Sequence, residues 1–531
     1  MPAPAGQGLV LHRGVSGAGP LLGRKAVRRL GDAANGWAGL ALLCLLAAAL
    51  RWHDIALDGY WKNELFSQYW IRQPYAFLAT AGLFQETNPP LHFILLKLWT
   101  GWFGTAELAA RSLSALVSLA CIPLIDAVGR ELGGRRIGRI AAALLAICPV
   151  QIYFAHEARG YALLPAFTLI AMLGAGRFLR NRAEGLWYYG AGCVGLAYTH
   201  ATGLIAMTAL ALAVLLTAID APPGADEPGR SNRLRRFVLA NLVVGLLVSP
   251  VALAMAMQSG SANIDWMPPF GLDTMISTSR YLLVGPMVRT DLGEDGSRHE
   301  LLFEMGLATL TCIVLFAAAY RHTTDRRMRA LVLLFPMAFI LIIGGISLLR
   351  PILIPRVTIW ISPAICLAVA ATLGRPTGWL GKILPASLFA GCVAIGLWNN
   401  VIAPAQHKPD WAGLVRDNPP DKIDGPLLVA GPHAGPLGIA FYSKTPIVRP
   451  LRHWQPQPGQ VLTLADHLER GQSGATPIET DELMALIRQG THVRLYLDDD
   501  DEILITRHLT SRPEFPSAVR SRYPGLTVLS W

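Results

Sequence analysis

Eleven long apolar runs, separated by short polar stretches, are the feature that most limits how this chain can fold. A helix needs roughly 17–25 apolar residues to cross the hydrocarbon core of a bilayer, and most of these runs approach that length. They predict a mainly α-helical bundle that crosses a membrane many times. The runs lie at 36–52, 107–128, 138–155, 161–178, 186–200, 202–219, 237–256, 301–320, 330–349, 357–374 and 381–400.

The low content of charged residues agrees with this prediction. Charged residues make up 15% of the chain and apolar residues 52%, whereas a soluble domain carries about 25% charged residues. The net charge of +10 does not indicate a nucleic-acid partner, because the arginines fall in short clusters between the apolar runs. All seven cysteines lie in apolar segments without metal-ligand or redox spacing, so we expect them to be core residues.

Clusters of Lys and Arg orient the bundle, because cytoplasmic loops carry an excess of these residues. Eleven crossings place all five clusters in the cytoplasm and the C-terminal part outside. We therefore expect an inner-membrane (plasma-membrane) protein with a cytoplasmic tail at 1–35, a bundle at 36–400 and a soluble periplasmic domain at 401–531. The clusters are Arg24, Lys25, Arg28 and Arg29; Arg130, Arg135, Arg136 and Arg139; Arg177, Arg180 and Arg182; Arg230, Arg233, Arg235 and Arg236; and Arg321, Arg326, Arg327 and Arg329.

The segment at 89–104 is apolar but short, and Lys97 interrupts it. Counting it as a span would move the Arg130–Arg139 cluster to the outside. We therefore predict a Trp-containing helix that lies in the membrane interface on the outer face of the bundle. The alternative is a full span that pairs with another one.

The part of the chain after residue 400 has a different pattern. Strand-like runs such as Pro426–Ala430 and Val493–Leu497 alternate with helix-like runs such as Thr480–Gln489, and Gly/Pro turns separate them. This pattern predicts a small extracytoplasmic α/β domain.

The predicted topology gathers ionisable side chains at the outer face. Such groups are costly at membrane depth and usually mark a functional cavity. Single residues have simpler explanations: Arg356 could extend to the lipid headgroups, His200 could be an interfacial histidine, and Glu157 with Arg159 could form only a helix-end turn. Their combination on one face favours a site. The residues are Asp58, Asn63, Glu64, Glu86, Asn88, His92, His156, Glu157, Arg159, Tyr161, His200, Arg350 and Arg356.

Short motifs follow one another in a characteristic order from about Trp37 to the end of the chain. They are Trp61-Lys62-Asn63-Glu64-Leu65-Phe66-Ser67, Glu86-Thr87-Asn88-Pro89-Pro90-Leu91-His92-Phe93, Phe103-Gly104 with Glu107 and Arg111-Ser112-Leu113, Gln151-Ile152-Tyr153-Phe154-Ala155-His156-Glu157-Ala158-Arg159-Gly160-Tyr161-Ala162-Leu163, Tyr198-Thr199-His200, Pro355-Arg356 and Lys408-Pro409-Asp410-Trp411. In order and spacing the chain resembles the GT-C superfamily of polyprenyl-phosphate-sugar glycosyltransferases. It is most similar to the bacterial branch related to protein O-mannosyltransferases and the lipid A aminoarabinose transferase.

This resemblance implies a membrane enzyme that transfers a hexosyl or pentosyl group from a polyprenyl-phosphate donor. The acceptor would be an envelope lipid, polysaccharide or protein at the outer face. A carboxylate must take the acceptor proton, and cationic donors must stabilise the departing phosphate. The sequence does not identify the sugar, the acceptor or a cofactor.

Residue roles follow as hypotheses. Arg159 and Arg356 are assigned to the donor phosphate, with His200 or Lys97 assisting, because Arg binds phosphate with bidentate geometry. Glu64 or Glu86 is the expected base, and Glu157 would orient Arg159 or help to hold a divalent cation, although no spacing demands one. The residues expected to bind the acceptor or sugar are Asn88, His92, His156 and Tyr161.

One position departs from the family pattern. The family's acidic pair begins with Asp, whereas this chain has Asn63 before Glu64. An amide cannot act as a general base at neutral pH, so the role passes to Glu64, Glu86 or Asp58, the acceptor chemistry differs, or activity is lost.

Two other functions remain open at this point. One is a transporter or flippase for a lipid-linked sugar, which would need polar groups deep in several spans and access from both sides. The other is a catalytically silent relative that binds polyprenyl lipid and acts as a scaffold, and Asn63 favours it.

Overall fold

The computed structural model describes the bundle and parts of the C-terminal region. The predicted tail at 1–35 lies outside the described residues. These are 36–219, 227–258, 267, 269–286, 296–374, 380–402, 408–417, 427–430, 435–443, 449–452, 478–498, 517–523 and 526–531.

Helices account for nearly all of the described bundle. In chain order they are α1 Trp37–Trp52, α2 Lys62–Trp70, α3 Tyr75–Ala79, α4 Ala81–Gln85, α5 Leu91–Phe103, α6 Glu107–Gly133, α7 Arg135–Ala146, α8 Pro149–Ala155, α9 Leu163–Leu179, α10 Gly185–Thr199, α11 Gly203–Ile219, α12 Glu227–Gln258, α13 Leu272–Leu283, α14 Gly296–His322, α15 Arg326–Arg329, α16 Phe335–Leu349, α17 Ser362–Gly374 and α18 Leu380–Leu397. Short 3₁₀ turns at Gly160–Ala162 and Pro355–Ile361 precede α9 and α17, and π-helical turns at Ala330–Leu334 and Trp398–Ile402 join or extend the helices.

Seven helical stretches among the described residues are long and apolar enough to cross a membrane, or eight if α7 and α8, bent by 57°, form one span. By this length criterion, fewer helices can cross the membrane than the eleven that the sequence predicts. The other three predicted runs are α1, α10 and α11, of 16, 15 and 17 residues. At about 1.5 Å per residue, these helices are shorter than a bilayer core of about 30 Å.

Four of the five predicted clusters meet at one end of the bundle, here called the arginine end, and the fifth, at 24–29, lies outside the described residues. Arg180, Arg182 and Arg327 surround the carboxylate of Glu131 at N–O distances of 3.2–3.9 Å. The other two clusters join them through further contacts there, which are Arg139 Nη2 to the Gly36 carbonyl, Arg130 Nη1 to Asp126 Oδ2 and Arg233 Nη1 to Asn181 Oδ1.

The C-terminal region forms an α/β unit. Its elements are α19 Trp411–Asp417, β1 Leu427–Ala430, α20 Gly435–Ser443, β2 Arg449–Arg452, β3 Ile478–Glu479, α21 Thr480–Arg488, β4 Val493–Asp498, β5 Val519–Tyr523 and β6 Leu526–Ser530. The described strands lie in the order β3-β2-β1-β4-β6-β5. Strand β1 pairs parallel with β2 and with β4, and β2 pairs parallel with β3. Strand β6 pairs antiparallel with β4 and with β5. The predicted strands in β1 and β4 and the predicted helix α21 are confirmed.

This unit packs against the end of the bundle opposite the arginines, here called the sheet end. One buried apolar cluster contains residues of both parts, including Tyr60, Leu65 and Ala158 from the bundle and Trp411 and Val528 from the unit. Burial of such a shared core stabilises the arrangement. The unit and the loops at this end are therefore one structural body.

Helix α5 lies at the sheet end and has 13 residues. At about 20 Å it is too short to span a bilayer. It exposes Leu98, Trp102 and Phe103, and the Trp102 side chain is 80% exposed. An apolar exposed face on a short helix agrees with the predicted interfacial position.

Candidate functional site

The sharp turn between α8 and α9 forms the centre of the site. Cys148 and Pro149 begin α8 and separate it from α7, and the chain then turns through His156–Arg159 into the 3₁₀ turn at Gly160–Ala162. Gly160 lies so close to its neighbours that a Cβ there would be 3.2 Å from side-chain atoms of His92 and Thr199. A small residue at this position lets α5 and α10 approach the turn.

Glu64, at the start of α2, is fully buried and accepts hydrogen bonds from several donors. Arg111 donates to both carboxylate oxygens, from Nε and Nη2, at 2.8 Å each. Lys408 Nζ donates at 3.2 Å and the Ala158 N–H at 2.9 Å. One carboxylate thus joins α2, α6, the α8–α9 turn and the segment that leads into the C-terminal unit.

The pKa of Glu64 reflects these contacts. Burial tends to raise the pKa, but the charges of Arg111 and Lys408 and the hydrogen bonds from Arg111 and the Ala158 N–H outweigh burial and lower the pKa to about 2. Such a low pKa means that Glu64 stays ionised and has little affinity for a proton. Its geometry suits a structural anchor better than a general base.

Arg111 uses all five of its N–H donors. Besides the two bonds to Glu64, Nη1 donates to the carbonyls of Ile55 and Asp58, and Nη2 donates to the carbonyl of Gly59. Arg111 therefore fixes the loop after α1 as well as α2.

Glu86 has a separate network. Its Oε2 accepts from Trp70 Nε1 at 2.8 Å, and its Oε1 accepts from Thr87 Oγ1 and from the backbone and side-chain nitrogens of Asn88 at 3.1–3.3 Å. Its backbone carbonyl accepts from Gln258 Nε2 at the end of α12. These bonds hold the loop before α5 and place Asn88 beside the pocket described next.

A small cleft lies beside the turn, with about 250 Å³ of empty space that includes open solvent. Among the described residues that line it, Arg159 supplies the strongly cationic group. The lining residues are Asn88, His92, Phe93, Arg159, Gly160, Tyr161, Thr199 and His200.

The guanidinium of Arg159 is held on one side only. Nη1 donates to the Asn63 carbonyl at 3.2 Å and to Ser67 Oγ at 3.3 Å, and the group lies over the Phe93 ring at 5.7 Å. Its Nε and Nη2 have no hydrogen-bond partner among the described residues. Two donors in a planar fork thus remain for an anion in the pocket.

His92 and His200 line the pocket as neutral rings. Burial and nearby arginine charges lower the pKa of both rings to about 3, with Arg159 acting on His92 and both Arg356 and Arg159 acting on His200. The Thr202 N–H donates to Nδ1 of His200 at 3.2 Å, so the ring proton lies on Nε2. His92 Nε2 lies 3.1 Å from the Ala158 carbonyl, to which it donates as the neutral ring.

Glu157 is a buried carboxylate whose Oε2 has no hydrogen-bond partner among the described residues, and its exposed fraction is 1%. Burial raises the pKa of Glu157, while the positive charges of Lys408 and Arg356 oppose the rise. A buried polar atom without a partner calls for an explanation, and a catalytic or ligand-binding role is one. The neighbouring His156 Nε2 is likewise unpartnered within the described part of the chain.

The structure brings most of the predicted site residues together at the sheet end. Asn88, His92, Arg159, Tyr161 and His200 line one pocket. Glu64 and Asn63 lie behind Arg159. The adjoining turn carries His156 and Glu157. Arg356 interacts electrostatically with Tyr161 and Glu157. Lys97 is the exception, since its Nζ donates to the Ile71 carbonyl at 2.7 Å and lies over the Tyr75 ring.

Two charged residues at the centre received no role from the sequence, namely Arg111 and Lys408. Both lie within the motifs that carry the family resemblance, and that position was the only available signal. For a metal, the described residues contain no group of three or more His, Cys, Asp or Glu side chains that could hold an ion.

Comparisons with known proteins agree with this fold. Residues 87–253 match the family model described as dolichyl-phosphate-mannose-protein mannosyltransferase. The crystal structure of apo ArnT from Cupriavidus metallidurans superposes with a TM-score of 0.56 at 13% identity, over 93% of this chain and 98% of that chain. The same protein bound to undecaprenyl phosphate gives a TM-score of 0.55 at 12% identity over the same shares. No curated protein sequence matches the chain.

The predicted resemblance to the GT-C superfamily is therefore confirmed. The match to the family model covers the segment from the loop before α5 to α12, which contains the α8–α9 turn and His200. The fold is similar to that of ArnT over 93% of this chain.

Proposed function

We propose that this protein is a membrane glycosyltransferase that moves a sugar from a polyprenyl-phosphate donor to an envelope acceptor. The observation that carries the proposal is the half-free guanidinium of Arg159 in a pocket at the sheet end of an ArnT-like bundle. The family model names a dolichyl-phosphate-mannose enzyme, and the ArnT relative binds undecaprenyl phosphate. Both involve a lipid phosphate.

The proposed topology has eleven crossings, with the arginine end in the cytoplasm and the sheet end in the periplasm. At the arginine end, Arg139 contacts Gly36 and Arg233 contacts Asn181. Arg180 and Arg327 both contact Glu131, so several helices begin or end together there. In this proposal the short helices α1, α10 and α11 also cross the membrane. The excess of arginine at one end supports a cytoplasmic location for it.

The donor phosphate is proposed to bind at Arg159. Its free Nε and Nη2 can form a bidentate pair with phosphate oxygens, and Nε2–H of His200 adds a neutral donor. The 3₁₀ turn at Gly160 begins the long helical stretch to Leu179, and a helix N-terminus also favours an anion. Arg356 adds positive charge behind Tyr161.

The proposed base is Glu157 rather than Glu64 or Glu86. Glu64 and Glu86 are held by Arg111, Lys408, Trp70 and Asn88, whereas Oε2 of Glu157 has no partner in the described chain. In the reaction, the acceptor oxygen bonds to the anomeric carbon of the sugar, and the bond from that carbon to the phosphate oxygen breaks. Glu157 takes the hydroxyl proton, and polyprenyl phosphate leaves with the bonding electrons.

Transfer from lipid-linked sugars in native membranes tests this function. We expect Arg159→Ala to lower kcat/KM by about 10²–10³-fold, as for the loss of one donor at developing charge. Arg159→Lys should retain part of the activity, because a lysine keeps the charge without the bidentate fork. The matched control is Arg416→Ala, an exposed arginine of α19 that pairs with the adjacent Asp417.

Two results would contradict the proposal. One is equal transfer by wild type and Arg159→Ala. The other is no transfer by wild type together with a gain by Asn63→Asp, which would identify a silent relative whose missing acid is restored.

A further inference from the structure

Lys408 lies where the membrane bundle passes into the C-terminal unit, and it reaches back to the site. Its Nζ donates to Glu64 Oε2 at 3.2 Å and to the His156 carbonyl at 2.9 Å. The residue is 8% exposed. One ammonium group therefore joins the segment before α19 to α2 and to the turn that carries Glu157 and Arg159.

The C-terminal unit fixes the position of Lys408. Trp411 begins α19 three residues later, is fully buried, and packs against Gly438 of α20 so closely that a Cβ at Gly438 would overlap its ring. The hydroxyl of Tyr442 in α20 donates to Glu107 Oε1 and accepts from the Tyr60 N–H, at 2.6 Å each. These contacts anchor the segment that carries Lys408 to the bundle.

Lys408 is buried beside Glu64, a carboxylate that already pairs with Arg111. A buried charge without a counter-charge is costly. Burial and the charge of Arg111 lower the pKa of Lys408, and burial raises the pKa of Glu157. Lys408 and Glu157 oppose these shifts in each other, because each favours the charged form of the other. The titratable and charged groups that face Glu157 are Lys408, Glu64, Arg356, Tyr153 and Tyr281.

We propose that Lys408 is a positioning residue through which the docked C-terminal unit holds the His156–Arg159 turn. The proposal concerns the turn and does not depend on sugar transfer. The unit would thus be required for the reaction without touching the donor pocket.

Hydrogen–deuterium exchange of the full-length protein in nanodiscs tests this role. Lys408→Met should raise exchange in the peptide spanning 156–161 by roughly tenfold, because the turn loses a charge-assisted hydrogen bond. Lys408→Arg should stay near wild type. The control is Arg416→Ala, which removes an exposed charge from α19 and leaves the docking contacts in place. Unchanged exchange in Lys408→Met, or an equal rise in Arg416→Ala, would overturn the positioning role.

The pH dependence of transfer gives a second readout, which rests on the proposed function because it takes Glu157 as the base. Glu157 works as a base only when ionised, so kcat/KM falls as the pH drops through its pKa. Lys408→Met removes a positive charge that lowers this pKa, so the acid limb should move to higher pH, while Lys408→Arg and Arg416→Ala keep the wild-type limb. An unmoved limb in Lys408→Met would count against the positioning role. Absence of transfer by wild type would count against the proposed function, and the exchange experiment would still decide the positioning role.

Discussion

Glu157→Gln is expected to slow sugar transfer by about 10²–10⁴-fold, the contribution typical of a positioned general base. Gln has nearly the same shape as Glu but cannot take a proton at neutral pH. Oε2 of Glu157 has no hydrogen-bond partner among the described residues, and the amide oxygen of Gln can still accept the hydrogen bond that Tyr153 gives to this side chain. The loss should therefore appear in kcat with the fold intact.

The measurement is the initial rate of transfer in membranes at saturating donor, alongside thermal stability of the purified variant. Asp417→Asn, a half-exposed carboxyl group of α19, is the matched control and should keep the wild-type rate. A Glu157→Gln rate within about threefold of wild type would exclude Glu157 as the base, since the expected range begins at about a hundredfold. Glu86 would then be the next carboxylate to test.

Arg111→Met is expected to cost about 3–5 kcal/mol of stability, the usual effect of removing one partner from a buried ion pair. Methionine fills part of the volume, but Glu64 remains fully buried with a negative charge and only Lys408 as its cation. The carbonyls of Ile55, Asp58 and Gly59 also lose their shared donor. Both effects should loosen the loop that carries Asn63.

Thermal unfolding in detergent measures this loss, and a second variant isolates its cause. The double variant Arg111→Met/Glu64→Gln should be more stable than Arg111→Met alone, because the unpaired charge is gone. A double variant no more stable than the single one would show that the loop carbonyls, rather than the buried charge, account for the loss. Wild-type stability in Arg111→Met would contradict the anchor role of Glu64.

The helix positions could be predicted from the sequence because a membrane imposes a simple rule of length and apolarity. Each predicted run overlaps one described helix, or two at 138–155, and the short strands β1 and β4 also lie where the sequence predicts strands. The lengths of the individual helices were less predictable. The run at 138–155 is divided by Cys148 and Pro149 into two helices bent by 57°, and α10 is only 15 residues long.

The residues of the site could be predicted, but their partners could not. Polar residues at the ends of consecutive helices identified Arg159, Tyr161 and His200, since topology alone places such ends together. The role of Glu64 depends on Arg111 and Lys408, which are 47 and 344 positions away in the chain. No local sequence pattern specifies contacts between residues so far apart in the chain. The sequence therefore cannot distinguish a carboxylate that anchors the structure from one that acts as a base. The placement of Lys97 on the Ile71 carbonyl likewise depends on packing of α5 against α2.

Binding of undecaprenyl phosphate to the purified protein, followed by native mass spectrometry, tests the central claim most directly because it needs neither the sugar nor the acceptor. The account predicts one bound lipid phosphate for wild type, Glu157→Gln and Arg416→Ala. It predicts at least about a tenfold weaker complex for Arg159→Ala, which loses a charge-assisted bidentate contact. Equal binding by Arg159→Ala and wild type, or no binding by wild type, would contradict it.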